Sequence, residues 1–235
     1  MGLSGSRVKT LALGLLNNET DRDKQRKVGA SQISNPCTRC LASDLSGIKQ
    51  PQGKYWMGGK IGTAIHGAIE IEVPKSKEKE LQDAIVEQKI VLGELEGYGT
   101  VGSKPDLTLP GAGHLIDWKT TSRPKAKKIQ KWIDGESRDA GTTYTMQKYI
   151  GQSQLYAWGV NKSGTSIDSI SLVFINRDGT SDIDVMEYTY DYDEDIAVAL
   201  WNRLVAIWVE LQDGEHPANY PSHPECYTCS VNGLV

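Results

Sequence analysis

Apolar residues fall along this chain in runs whose period changes from element to element. Residues 1–30, with a short apolar stretch at Leu11–Leu16 and the charged tail ETDRDKQRK, read as an N-terminal helical segment. In Lys60–Val73 (KIGTAIHGAIEIEV), Ile61, Ala64, Ile65, Ala68 and Ile69 recur at helical spacing, with Thr63 as a candidate cap. PKSKEKELQ breaks the pattern, and Ala84–Leu92 reads as a strand. Tyr98–Leu109 and His114–Thr121 are strand-like runs joined by the turn Pro110-Gly111-Ala112-Gly113, a β-hairpin signature. Pro105 belongs at a strand edge or start, because it has no N–H for a ladder. Met146–Val160 reads as a helix despite Gly151, which costs about 1 kcal/mol relative to Ala. Ile170–Asn176 and Ile183–Tyr190 read as strands around the turn RDGTSD. Asp193–Asp213 carries Ile196, Leu200, Leu204, Ile207, Trp208 and Leu211 on one helical stripe, with acids at its start as the helix dipole favours. The order predicts one mixed α/β domain over residues 31–235.

Length and composition narrow the class. The 235 residues are 38% hydrophobic and 24% charged, polar for a globular chain but too apolar for disorder throughout. No apolar run approaches the roughly 20 residues of a membrane span, and no clean cleavage site follows Leu11–Leu16. Met1-Gly2 with Ser6 formally fits a myristoylation pattern, a short and common one. The expectation is a soluble, intracellular protein.

Net charge is −4, yet its distribution is uneven. Lys119, Arg123, Lys125, Lys127, Lys128 and Lys131 form a basic run without an acid, which reads as a loop. Asp178 to Glu225 holds twelve acids against Arg203 alone. Screening over about 8 Å lets such a basic patch attract phosphate despite a distant acidic face.

The hairpin brings Asp106 toward Asp117-Trp118-Lys119. Two adjacent carboxylates repel unless a cation lies between them, and Mg²⁺ or Mn²⁺ prefers such oxygen ligands. Asp117 and Lys119, two apart on a strand, share a face; Trp118 points the other way while its carbonyl remains within reach of a metal. An ammonium there can hold or deprotonate an attacking water and neutralise charge on a phosphorane. Upstream, His66 and Glu70 lie four apart on one helical face, the imidazole suited to complete a ligand set and Glu70 to orient His66 or Lys119. Downstream, Gln152 and Tyr156 have the same spacing and can steady a phosphate, the lysine or a base.

In sequence order, G-T-x-x-H-x-x-x-E, P-D, D-x-K-T and Q-x-x-x-Y resemble the RecB-type branch of the PD-(D/E)XK nucleases, over about Ser31 to Cys229. That branch includes nuclease domains of recombination helicases, the CRISPR adaptation nuclease and phage exonucleases. The resemblance implies a restriction-endonuclease-like core, a mixed central β-sheet flanked by helices. It implies metal ligands at His66, Asp106, Asp117 and the Trp118 carbonyl, Lys119 as the catalytic lysine, and Gln152 and Tyr156 as the helix motif. It further implies a metal-dependent DNA exonuclease acting on single strands or duplex ends, with recombination or helicase partners, in the cytoplasm of a bacterium or phage-infected host. The basic run Arg123–Lys131 would grip the DNA backbone. Trp132, Tyr144 and Tyr149 are candidate base-stacking residues, or core. Gly102-Ser103-Lys104-Pro105-Asp106 is one residue longer than the commoner G-x-x-D, which leaves the role of Gly102 open.

Cys37/Cys40 and Cys226/Cys229 form two C-x-x-C pairs. A Cys₄ clasp joining the N- and C-terminal segments fits better than disulfides in an intracellular enzyme. Some RecB-type nucleases hold a [4Fe–4S] cluster this way, though usually with cysteines divided one and three; the expectation is such a cluster, with Zn²⁺, which fits the spacing equally, as the alternative. Four buried thiols without metal is the plain alternative. His216 and His223 could replace a thiolate but read as surface-loop residues, and His114 as a turn residue. Two other functions compete with the nuclease. One is a non-catalytic DNA-binding or recombination scaffold, which would have a broken acid/lysine set. The other is a zinc-ribbon interaction module, which would need its C-x-x-C pairs close together.

Overall fold

ISLVFIN has no polar face, as suits a strand covered on both sides. The structure, a computed structural model describing residues 27–48, 57–179 and 184–231, puts it inside the sheet. Strand β6 (Ser169–Asn176) lies between β5 (His114–Thr121), parallel to it, and β7 (Val185–Asp191), antiparallel to it. Beyond β5 come β4 (Leu107–Leu109) and β1 (Ile85–Val86), both antiparallel to their neighbours, giving the order β1-β4-β5-β6-β7. On the edge strand β7 exposure alternates, whereas β6 is buried along most of its length. A separate antiparallel ribbon pairs β2 (Ile90–Leu95) with β3 (Gly99–Ser103).

Seven α-helices are described: α1 (Ala30–Ile33), α2 (Thr38–Leu45), α3 (Met57–Glu72), α4 (Arg123–Ile133), α5 (Ala140–Lys162), α6 (Glu194–Gln212) and α7 (Tyr227–Val231). Helix α5 begins at its Asp139 cap, whose carboxylate accepts the Thr142 N–H, six residues before the sequence pattern suggests. Its glycines are packing devices. A Cβ at Gly151 would stand 3.0 Å from Leu200 and 3.2 Å from Ser34, and one at Gly159 2.7 Å from Ile90. The main core joins Leu155, Ala157 and Val160 of α5 to Ile33, Leu41, Leu92, Leu115, Ile170 and Leu204. On the other side of the sheet, Ile69 and Val73 pack with Leu107, Leu109, Ile116 and Trp118. A further cluster, Ile129, Trp132, Met146, Leu172 and Phe174, seats α4. Among the described residues no helix is long and apolar enough to cross a membrane.

Several sequence expectations are corrected. The run Tyr98–Leu109 is two strands, broken at Lys104-Pro105-Asp106, because Pro105 cannot donate to a ladder; β3 turns to β2 and only β4 pairs with β5. Ala84–Leu92 breaks likewise into β1 and β2 at Glu87, whose φ is +49°. The basic run is the helix α4 rather than a loop, with Ser122 as its cap and Pro124 in the first turn, where a missing N–H costs nothing. Thr63 lies inside α3, its hydroxyl donating to the Gly59 carbonyl at 3.1 Å. Ile196 is exposed and off the buried stripe of α6, which runs through Ala197, Leu204 and Ile207. Residues 1–26 of the expected N-terminal helical segment, with the myristoylation pattern, and Ile183 lie outside the described residues; of its last four, Ala30 opens α1 with Gly29 as N-cap.

Candidate active site

The sheet register builds the site. Leu107 pairs with Ile116 and Val86 with Leu107, so continuing each register by one residue sets Glu87, Asp106 and Asp117 in one row across three strands. Residues directly opposite in antiparallel strands share a face. The Glu87 N–H donates to the Asp106 carbonyl at 3.2 Å, which closes the row. Both oxygens of Asp106 are engaged: Oδ2 accepts the Trp118 N–H at 2.8 Å, and Oδ1 lies 3.2 Å from His66 Nδ1. Burial opposes its charge, but the His66 bond and the Lys119 ammonium outweigh that and hold Asp106 below the usual carboxylate range.

Asp117 is 1% exposed. Burial, reinforced by the Asp106 charge and opposed by Lys119, pushes its carboxyl up to about 7. Its Oδ2 pairs with Lys119 Nζ at 2.6 Å, while Oδ1 is buried without a hydrogen bond. An unsatisfied anionic oxygen beside a second carboxylate is what a hard divalent cation would complete, so the residues fit one. Lys119 is itself buried, which disfavours its charge, yet Asp117 more than compensates and keeps it protonated. The ammonium also donates to Gln152 Oε1 at 3.2 Å, and Gln152 Nε2 donates to the Tyr156 hydroxyl at 2.6 Å. The Lys119–Gln152–Tyr156 chain thus arises from helical spacing on α5 facing alternation on β5.

These groups line an open cavity of about 990 Å³, together with Glu87, Lys89, Lys104 and Tyr149. Glu87 was missed in the sequence. With His66 and Asp106 it offers donor atoms lying within 4.8 Å of one another, and it pairs with Lys104 at 3.7 Å. Its signal was the polar triplet Glu87-Gln88-Lys89 interrupting an apolar run. Glu70 is exposed on α3 and stands outside this His66–Glu87–Asp106 group; so does Asp117, whose Oδ2 is held by Lys119. Trp118 packs its ring on the α3 side of the sheet.

The basic residues divide. Arg123 bonds the turn after β6, its N–H to the Asp178 carboxylate at 2.9 Å and its guanidinium to the Asp178 carbonyl at 3.1 Å. Lys125 lies 5.7 Å from the Tyr149 ring, whose centre is 5.1 Å from Lys119 Nζ. Lys127, Lys128 and Lys131 are exposed, away from the buried Ala126, Ile129 and Trp132. Trp132 belongs to the core, and Tyr144 packs on the cysteines with its hydroxyl on Asn35; of the three aromatic candidates, Tyr149 lines the cavity. Gly102 lines it too, paired with Val91, where a Cβ would meet the Ile90 carbonyl at 3.0 Å.

Cys37, Cys40, Cys226 and Cys229 form a buried cluster that brings the N- and C-terminal regions together. His114 is on β5, bonded to Ser169 and Ser171.

No protein-family model and no curated protein matches the sequence. Solved structures do match in fold. An alkaline exonuclease (LHK-Exo) from Laribacter hongkongensis aligns with a TM-score of 0.53 at 15% identity, over 80% of this chain and 89% of that one. Its complex with dAMP aligns at 0.51 with the same identity and coverage. A protein from Eubacterium rectale aligns at 0.50 and 14% identity, over 99% of this chain and 94% of that one. The chain therefore has the mixed α/β fold of these exonucleases.

Proposed function

We propose that this protein is a divalent-metal-dependent deoxyribonuclease that hydrolyses phosphodiester bonds as an exonuclease. The observation that carries the reading is the buried, unsatisfied Asp117 oxygen beside Asp106 and a charged lysine, on the wall of an open cavity. Asp106, Asp117, His66, Glu87 and the Trp118 carbonyl would hold Mg²⁺ or Mn²⁺. When bound, such an ion polarises the phosphate and lowers the pKa of a water. Lys119, held charged by Asp117, would orient an attacking water and neutralise charge developing on the phosphoryl oxygens. Gln152 fixes the lysine from behind, and Tyr156 keeps its own hydroxyl hydrogen to donate, since it accepts from Gln152. Lys89, Lys104 and Lys125 guide the backbone to the cavity, Tyr149 offers a face for an unpaired base, and Lys127, Lys128 and Lys131 extend the positive surface. The fold shared with an exonuclease crystallised with dAMP supports a mononucleotide product.

The test is end-labelled single- and double-stranded DNA incubated with Mg²⁺, Mn²⁺ or EDTA. Metal-dependent release of labelled mononucleotides is expected, with Asp117→Ala and Lys119→Ala slower by roughly 10² or more. Full activity in either variant, or in EDTA, overturns the reading in favour of a site elsewhere. No cleavage by folded wild-type protein under any condition returns it to a DNA-binding scaffold.

A further inference from the structure

We propose that the four cysteines hold one tetrahedral Zn²⁺ ion and that the site is too small for a [4Fe–4S] cluster. Cys37 Sγ stands 3.6 Å from Cys229 Sγ, and Cys40 Sγ 3.4 Å from Cys226 and 3.7 Å from Cys229. All four sulfurs lie within 4.8 Å of one another. Four sulfurs each about 2.3 Å from one central ion stand about 3.8 Å apart. In a [4Fe–4S] cluster each cysteine binds its own corner iron. The same bond length, measured outward from four separated irons, sets the sulfurs roughly 6 Å apart.

Widening the cage by that amount would mean parting α2 from α7, and the backbone around both pairs is fixed. The Cys37 N–H donates to Asn35 Oδ1 at 3.0 Å, which also accepts the Tyr144 hydroxyl at 2.7 Å. The Arg203 guanidinium holds the carbonyls of Ile33 and Asn35 from α6. The Cys226 N–H donates to the His223 carbonyl at 2.9 Å. The two pairs are built alike: the carbonyls of Cys37 and Cys226 accept the N–H four residues on, from Leu41 and Ser230, so each pair turns into a helix. Neither nearby histidine competes as a ligand through Nδ1, because His223 Nδ1 accepts the Glu225 N–H and His216 Nδ1 the Ala218 N–H. A closed set of four thiolates at tetrahedral spacing selects Zn²⁺ as a structural ion. Gly29, the N-cap of α1, and Ser31 within it line the cavity, and the loop after α1 leads directly into Cys37.

The test is anaerobic purification of the full chain from cells supplied with both iron and zinc, followed by metal and acid-labile sulfide analysis. One zinc per chain, no sulfide and a colourless protein are expected. Replacement by Co²⁺ should give the intense visible bands of a tetrahedral cobalt thiolate, absent in Cys226→Ser. Four irons with sulfide and a brown colour overturn the proposal. So does folded protein that arrives metal-free and takes up no Zn²⁺ on titration. None of these readouts uses DNA cleavage, so their failure leaves the nuclease reading standing.

Discussion

Asp117 is held between opposing forces: burial and Asp106 disfavour its charge, and Lys119 alone favours it. Its carboxyl, pushed up to about 7, must lose its proton before it can bind a cation. Below that value each pH unit should weaken Mn²⁺ binding up to about tenfold, and above it the affinity should level off. Calorimetric titration with Mn²⁺ at pH 6, 7 and 8 checks this, and a flat profile contradicts it. Glu87→Gln should weaken Mn²⁺ binding and cleavage by roughly 10-fold or more while leaving the melting temperature nearly unchanged, because Glu87 lies at a strand break outside the core clusters. Asp44 on α2 shows the same physics without the metal. Burial raises it to about 6, and the attraction of Lys148 offsets this only in part. Its folded-state pKa exceeds the unfolded value near 3.9, so it favours folding least when ionised and stability falls as pH rises from about 4 to 6. Asp44→Asn should therefore melt roughly 2–4 °C above the parent at pH 7.5, the shift for about 1 kcal/mol, and level with it near pH 4.

At the scale of elements, α4 separates what the sequence presents as one basic run. A helix turns successive residues by about 100°, so its lysines leave on different sides of the buried Ala126, Ile129 and Trp132. Lys125, beside Tyr149, should matter most for DNA. Lys125→Ala should weaken binding across sequences and lower the salt dependence of log K by about one unit of slope, in a fluorescence titration from 50 to 200 mM salt. Arg123→Ala should instead remove the guanidinium bond to the Asp178 carbonyl, loosening that turn and lowering the melting temperature with little change in that slope. The β2 ribbon is pinned by close approach rather than by side-chain bulk. A Cβ on Gly93 would collide with the Trp201 ring, so Gly93→Ala should cost about 1–3 kcal/mol in denaturant unfolding.

For the whole molecule, the carboxylate row proposed to hold a cation and the cysteine cluster should respond to chelation on different timescales. The first opens on a cavity, whereas the thiols are at most 5% exposed. EDTA should stop cleavage at once, with excess Mn²⁺ restoring it and circular dichroism unchanged throughout. Immediate loss of structure would mean that the two sites are not independent.

The sequence by itself determined whatever depends on period and local chemistry. Alternation fixes Asp117 and Lys119 on one face of β5 with Trp118 opposite, and helical spacing lines Gln152 and Tyr156 along α5, because these follow from backbone geometry within one element. The order of the motifs also carried the fold, and the two C-x-x-C pairs announced the clasp. Tertiary structure alone decided what depends on register between strands distant in sequence. Glu87 joins Asp106 and Asp117 only because β1 pairs with β4 and β4 with β5, and nothing local to Glu87 specifies that pairing. The 3.4–3.7 Å spacing of the thiols is likewise an outcome of packing between elements distant in sequence, whereas the break at Pro105 follows locally from its missing N–H.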